Sequence, residues 1–276
     1  MDKGNEFVKC QIEDNIAIVT IDRPPVNALN PKALYEFQSV FDNLAKEPKV
    51  LAVIVTGGGK KVFVAGADID TLREESTHSG LITNLRFSDT FTKISNFYRP
   101  VICAVSGMAI GGGFELAMSC DIVICDESAS FSCPEVNLSL IPAGGGTQRL
   151  PRLIPPGLAK ELLFTGRRMK ADEALRCGFV NKVVPVGEVL DAAKELAKDI
   201  ASRGPQAVTM VKRVINQGAN LPLEDGLRLE ALESSLNFAT PDFFEGTDAF
   251  FGKRKPEFKS ENKIPSVGFY YDRKIE

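Results

Sequence analysis

The run Val101-Ile102-Cys103-Ala104-Val105-Ser106-Gly107-Met108-Ala109-Ile110-Gly111-Gly112-Gly113-Phe114-Glu115-Leu116 governs how the rest of the chain is read. Its first five residues are apolar and follow Pro100, which predicts a buried strand over Val101 to Val105. Three glycines then lead into Phe114-Glu115-Leu116, where a helix is predicted to begin, over Gly111 to Ser119. Unpaired amides and the positive end of the helix dipole meet where the backbone carries no side chains, which makes an anion pocket. The spacing is not that of a dinucleotide fingerprint. Neither this run nor Gly57-Gly58-Gly59-Lys60-Lys61 fits a phosphate loop, which argues against nucleotide phosphates. Glycines so placed also serve simply to let a helix lie close to a strand, so the run does not identify a site by itself.

Upstream, Phe7 to Ile12, Ile16 to Ile21 and Val50 to Thr56 read as strands, with an amphipathic helix over Pro31 to Ala45 and a further short strand over Val62 to Ala65. A polar helix-and-loop region follows to about residue 98. Downstream, Ile122 to Cys125, Ser130 to Ser132 and Val180 to Val184 read as strands. Helical pattern dominates Leu158 to Phe164, Ala171 to Cys177, Val189 to Ser202, Pro205 to Gln217, Leu223 to Asn237 and Asp242 to Phe251. This is an α/β chain, and its pattern alone suggests a doubly wound sheet. The Gly204-Pro205 step marks the expected boundary between an α/β core, residues 1–203, and a helical C-terminal segment, residues 204–276. The last stretch, Glu257 to Glu276, is polar with a late aromatic patch, Phe269, Tyr270 and Tyr271.

Composition narrows the chemistry. The chain has 276 residues, 44% of them hydrophobic, and a formal charge of −3, so nothing draws it as a whole to nucleic acid or to an anionic membrane. No apolar run is long enough to span a membrane, and the opening residues lack the apolar stretch of a signal peptide, so a cytoplasmic location is expected. The six cysteines have no C-x-x-C pair and no neighbouring histidines, which predicts reduced thiols and no metal site. The one histidine, His78, lies in a polar stretch that reads as an exposed loop, and no G-x-S-x-G elbow exists for it to serve. Acid/base work in this chain therefore falls to carboxylates.

Glu115 is predicted in the first turn of its helix, where the dipole favours a carboxylate by ~0.3–1 kcal/mol, and Glu135 follows Pro134, which restricts the turn after a short strand. Each placement also has an ordinary structural explanation. A third segment, Val64-Ala65-Gly66-Ala67-Asp68-Ile69, puts small residues after a strand and leaves another backbone amide open, so two amides can grip one oxygen. In order along the chain come Ala65-Gly66-Ala67-Asp68-Ile69, Gly107 through Gly111-Gly112-Gly113-Phe114-Glu115-Leu116, Pro134-Glu135, and Ile141-Pro142 with Gly145-Gly146-Thr147-Gln148-Arg149-Leu150. That series resembles the enoyl-CoA hydratase (crotonase) superfamily, and the resemblance continues through Thr165-Gly166, Ala171 to Gly178, Asn181 to Pro185 and Phe250 to Pro256.

The resemblance implies a crotonase-type ββα superhelix with a C-terminal helical domain that builds homotrimers or homohexamers. It implies an acyl-CoA thioester as substrate, with coenzyme A arriving as part of it and no separate cofactor. The amides of Ala67 and Gly112 then form an oxyanion hole, and Glu115 and Glu135 are the two catalytic glutamates. Water addition across a conjugated thioester builds charge on the carbonyl oxygen while a proton leaves water and another reaches C2, and two amides with two carboxyl groups match those needs. By the resemblance Glu135 delivers the proton to C2, and Glu115 orients and helps activate the water.

Ala65, Asp68, Ile69, Lys253 and Lys255 are the expected contacts for coenzyme A. The basic run Lys253-Arg254-Lys255 stands in for a cation absent at Asp70, where many relatives carry lysine. Phe114 is bulkier than the small residue usual at its position, which bears on the shape of the acyl pocket. Gly144 to Arg149 is assigned a supporting role behind Glu135. Retention of both glutamates favours hydration or its reverse over the alternative, a Δ3,Δ2-enoyl-CoA isomerase. RNA binding, known for some relatives, is disfavoured by the negative charge and the lack of a basic face interleaved with aromatic residues.

Overall fold

The computed structural model describes residues 5–259. Its first hairpin joins β1 (Val8–Glu13) to β2 (Ile16–Ile21) through Asp14 and Asn15, at φ 48° and 65°, a two-residue turn whose twist matches that of the strands. Helix α1 (Pro31–Leu44) starts on Asn30, whose side chain accepts from the Ala33 amide at 2.8 Å, with proline at the helix start. Its Leu34, Phe37, Phe41 and Leu44 recur at helical spacing and are buried.

Three passes then repeat one pattern. The first runs β3 (Ala52–Gly57), β4 (Val62–Val64), a short helix α2 (Ile69–Leu72) and α3 (Thr77–Ser95). The second runs β5 (Val101–Val105), β6 (Met108–Ile110) and α4 (Gly112–Met118). The third runs β7 (Ile122–Asp126), β8 (Ser130–Ser132), a 3-10 turn over Pro134–Leu138 and α5 (Gly146–Leu153). Then come α6 (Pro156–Thr165), β9 (Met169–Lys170), α7 (Ala171–Arg176), β10 (Lys182–Val184) and α8 (Val189–Ala201).

In each pass the first strand joins one sheet and the second joins another. The larger sheet has the order β1-β2-β3-β5-β7-β10 and is parallel apart from β1. The smaller has the order β4-β6-β8-β9, parallel apart from β9. This is the ββα superhelix, and it replaces the doubly wound sheet suggested by pattern alone. The reason is a set of sharp corners between paired strands. Gly107 makes one of them, at φ +74° and so close to the preceding pass that a Cβ there would lie 2.2 Å from the Lys61 carbonyl oxygen. Three-residue strands such as β6 are too short for a periodic signal, and the sequence pattern runs straight through Met108–Ile110 as loop.

Alternate residues of the larger sheet feed two cores. Ala17, Val19, Val53, Val55, Val101, Cys103 and Val105 belong to the main core with the buried faces of α1 and α3. Ile16, Ile18, Ala52, Ile54, Ile102 and Ala104 pack with Val189, Ala193 and Ala197 of α8, one helical turn apart. Buried on both faces, these strands read as continuous apolar runs, which is why the sequence showed them so clearly. None of the six cysteines, all of them among the described residues, is in a disulfide.

The chain divides into two compact units between Ala201 and Ser202, two residues ahead of the expected core boundary at residue 203. In the second unit α9 (Pro205–Gly218), α10 (Leu223–Asn237) and α11 (Pro241–Phe251) follow one another, with Arg213 of α9 paired to Glu233 of α10. Phe269, Tyr270 and Tyr271 lie outside the described residues. Among the described residues no helix is long and apolar enough to cross a membrane.

Substituting Gly107→Ala forces a side chain into positive φ and against a carbonyl, so the protein is expected to lose about 2–4 kcal/mol of stability. Equilibrium denaturation that leaves the midpoint of the variant unchanged would show that this corner relaxes freely.

Candidate active site

The three segments singled out in the sequence all follow the ends of parallel strands in the smaller sheet. Strand β4 ends at Val64 and runs into Ala65-Gly66-Ala67, β6 ends at Ile110 and runs into Gly111-Gly112, and β8 ends at Ser132 just ahead of Cys133-Pro134-Glu135. Because those strands are parallel neighbours, their ends deliver the three segments to one edge of the sheet.

The two amides come together through backbone contact. Leu29 forms a parallel bridge with Ala67, in which its own amide donates to Gly66 O at 2.7 Å and its carbonyl accepts from Asp68 N–H at 3.1 Å. In a parallel ladder that pattern turns the Ala67 N–H away from Leu29. Gly66, at φ +85°, is pressed so close to the next pass that a Cβ would lie 2.7 Å from Ile110 O and 2.9 Å from the Gly112 nitrogen. Gly112 opens α4, where a first-turn amide has no partner within the helix. The Gly66-Ala67 segment therefore lies against Gly112, which sets the Ala67 and Gly112 amides on neighbouring segments. Gly113 explains the third glycine, since a Cβ there would lie 2.1 Å from Val64 O.

Glu115 is 3% exposed, and its Oε1 accepts from the Gly146 amide at 2.7 Å. Burial pushes its carboxyl up to about 7; the Gly146 amide opposes this, the nearby Glu135 charge adds to it, and the Gly144 amide and Arg149 oppose it. Glu135 is half-buried in the 3-10 turn, with its Oε2 screened from solvent and without a hydrogen-bond partner among the described residues. Burial raises its carboxyl as well. Its Oε1 faces Gly111, where a Cβ would come within 2.8 Å. Two carboxyl groups with raised affinity for a proton thus stand beside two open amides, and Phe87 and Phe91 of α3 wall the place on one side, against Gly112 and Gly144. The arrangement suits a reaction that develops negative charge on one oxygen while protons move at neighbouring atoms.

The remaining predicted residues are placed as follows. Ala65 is half-buried, its amide donating to Val26 O at 3.1 Å. The Asp68 side chain pairs with Arg23 at 2.6 Å and caps α2. Ile69 is exposed, as is Asp70. Lys253 and Lys255 are exposed and belong to the C-terminal unit, and Arg254 between them is held by Glu245 at 2.6 and 2.8 Å. Phe114 is fully buried and packs with Phe131 and Phe179, ring centroids 5.0–5.4 Å apart. His78 is exposed, though in the first turn of α3 and not in a loop. Among the described residues no group of three or more His, Cys, Asp or Glu side chains can hold a metal ion.

The sequence reading set Gly144 to Arg149 behind Glu135, whereas the structure sets this turn against Glu115 through the Gly146 amide, with Arg149 closing it; Phe87 and Phe91 as walls were missed. The run Gly144-Gly145-Gly146 was the available signal.

A family model described as Enoyl-CoA hydratase/isomerase matches residues 11–261. The Short-chain-enoyl-CoA hydratase of Clostridium acetobutylicum is 45% identical over 246 residues, which is 89% of this chain and 94% of that protein. The Carnitinyl-CoA dehydratase of Salmonella enteritidis is 39% identical over 247 residues, 87% of this chain and 94% of that protein. The solved structure of Enoyl-CoA hydratase from Bacillus anthracis superposes with a TM-score of 0.89 at 38% identity, covering 92% of this chain and 99% of that one.

A Glu115 carboxyl held at about 7 against the ordinary 4.5 means that the unfolded chain releases its proton first. Stability is then lost as pH rises from near 4.5 to about 7 and stays lost above, by about 3 kcal/mol in all. Glu115→Gln, which has no proton to release, is expected to gain about 2–3 kcal/mol on the wild type between pH 5 and pH 8. A stability difference that is flat across that range, measured by denaturant titration, would mean that Glu115 titrates normally.

Proposed function

The chain belongs to the enoyl-CoA hydratase/isomerase family, and from that premise we propose that it adds water reversibly across the double bond of a 2-enoyl-CoA, giving a 3-hydroxyacyl-CoA. The observation that carries this reading is the pair of buried carboxyl groups in unlike surroundings. Glu115 accepts an amide hydrogen bond, which favours the charged form, whereas the buried Oε2 of Glu135 has no donor among the described residues, which favours the protonated one. Burial raises both, and the Glu135 charge raises Glu115 further, so the two carboxyl groups influence each other's proton.

In the hydration direction the thioester oxygen lies against the amides of Ala67 and Gly112, which stabilise the charge that develops when C3 is attacked, by ~2.7–4 kcal/mol for each well-aimed donor. Glu115 orients the water and takes its proton. Glu135 gives a proton to C2, and the enolate collapses to the hydroxyacyl thioester. The double bond is consumed, one C–O and one C–H bond form, and the pair of glutamates exchanges roles for the return reaction.

Ala65, Asp68 and Ile69 supply the edge of the site for the thioester's coenzyme A arm, with Lys253 and Lys255 as cations for its phosphates. The name of the Clostridium relative supports a short acyl chain. Assembly as a homotrimer, or as a homohexamer made of two trimers, is supported by the second unit, where Leu223, Leu227 and Leu232 of α10 and Phe250 and Phe251 of α11 are 53–81% exposed. A cytoplasmic location and a place in fatty-acid oxidation complete the reading.

Purified protein is expected to consume the conjugated absorbance of crotonyl-CoA, and Glu115→Gln and Glu135→Gln are each expected to lower kcat by about a hundredfold or more. Full turnover in either variant would sink the two-glutamate mechanism. In solution, light scattering is expected to give the mass of three or six chains, and a monomer at micromolar concentration would remove the assembly.

A further inference from the structure

We propose that Arg149 is the positioning residue of the Glu115 carboxylate, acting through the Gly144 carbonyl that its guanidinium holds and through the turn Gly144-Gly145-Gly146. The proposal rests on the hydration reading of the site and adds to it a residue that touches neither substrate nor reacting water.

The contacts converge on one short turn. Arg149 Nη1 donates to Gly144 O at 2.7 Å, and its own backbone amide donates to Gly145 O at 2.7 Å, so side chain and main chain of one residue grip the turn from two sides. Gly145, at φ +115°, lies so flat against the guanidinium that a Cβ would come within 1.9 Å of Nη1. Nη2 reaches across to Thr92 Oγ1 on α3 at 3.2 Å, which fixes the plane of the guanidinium. The turn held in this way is the one that meets Glu115: Gly146 N–H donates to Oε1 at 2.7 Å, and Gly144 is packed so close that a Cβ there would lie 2.7 Å from Oε2.

Arginine suits the position for a geometric reason. Two donors at fixed separation must reach a carbonyl on one element and a hydroxyl on another, and a planar fork does this where a lysine ammonium reaches only one of them. The guanidinium spends its described hydrogen bonds on a carbonyl and a hydroxyl, neither of which neutralises its charge. The titratable groups facing Glu115 are Glu135 from the 3-10 turn, Cys133 just before it, and Arg149 from α5; α3 presents only the rings of Phe87 and Phe91 and the Thr92 hydroxyl. Of these, Arg149 alone favours the charged form of Glu115, and it does so together with the amides it positions.

Three variants separate the field of the cation from the geometry it imposes. Arg149→Met removes both, Arg149→Lys keeps the charge and loses the fork, and Thr92→Val loosens the fork and keeps the arginine. With crotonyl-CoA as substrate, kcat is expected to fall about tenfold or more in Arg149→Met and severalfold in the other two, with KM within about threefold of wild type. The acid limb of kcat/KM moves to higher pH in Arg149→Met, because losing the cation and loosening the amides both favour the protonated carboxyl; in Arg149→Lys it stays near the wild-type position.

A fall in kcat with an unmoved acid limb in Arg149→Met would reduce Arg149 to a packing role and overturn the proposal, as would a rise in KM at constant kcat. Infrared difference spectra of glutamate-labelled protein, with Glu115→Gln as the blank, give the protonated fraction of Glu115 without turnover. More protonated Glu115 at neutral pH in Arg149→Met supports the proposal, and an unchanged fraction overturns it. A wild type that hydrates no enoyl-CoA defeats the hydration reading, and the infrared titration still decides the role of Arg149. Should Arg149→Met fail to fold, Arg149→Lys and Thr92→Val carry the comparison.

Discussion

A carboxylate with almost no access to water, held by a main-chain amide and touched by no cation among the described residues, is the feature on which this site depends. Donors have to reach Glu115 without any side chain intruding, and that condition dictates the segment opposite. At Gly144 a Cβ would strike both Glu115 Oε2 and the Phe91 ring, and at Gly146 it would crowd Oε1 and the Cys133 sulfur. Bare backbone is what can supply amides at that distance. The same bond joins the start of α4 to the start of α5, so the carboxylate is also a structural link between consecutive passes of the spiral.

The ββα spiral is what makes the site possible. Each pass sends its second strand into the smaller sheet, and because β4, β6 and β8 lie side by side and parallel, the residues that follow them emerge at one edge. An amide from the first pass, an amide and a carboxylate from the second, and a carboxyl group from the third meet there without any long loop. Close approach between passes is secured by glycine wherever one backbone lies against another, at Gly66 against Ile110 and Gly112 and at Gly113 against Val64. Glycine thus serves twice, keeping the pocket bare at Gly144 and Gly146 and letting the passes close at Gly66 and Gly113.

How much of this was legible depended on the physical range of each signal. The strands of the larger sheet read clearly as apolar runs, because burial on both faces removes any polar alternation, and α1 read clearly from its cap and its periodic apolar face. Strand β6 gave no signal, since three residues pairing with distant strands are fixed by tertiary contact, and the corner at Gly107 that turns a plain sheet into a spiral looks in sequence like any glycine. The order of motifs supplied what periodicity did not. It singled out the segments of Glu115, Glu135, Ala67 and Gly112, yet it said nothing of side-chain direction: Phe114 turns into an aromatic cluster with Phe131 and Phe179, and the Asp68 carboxylate is taken by Arg23.

Two carboxyl groups in one pocket also pose an electrostatic problem that their unlike surroundings resolve. Were both supplied with amide donors, both would ionise and repel each other, leaving no acid; were neither supplied, both would stay protonated and no base would remain. Here the two carboxyl groups are supplied unequally. Gly146 offers its amide to Glu115, and among the described residues no group offers a hydrogen bond to the buried oxygen of Glu135. The pair can then hold one proton between its members, with a bias in where charge and proton reside, and a small change in either environment shifts the proton across. That asymmetry comes from the backbone, from the Gly146 amide that reaches Glu115 and the buried Glu135 oxygen that no described donor reaches, so it is built by the same glycine turn and strand ends that build the fold.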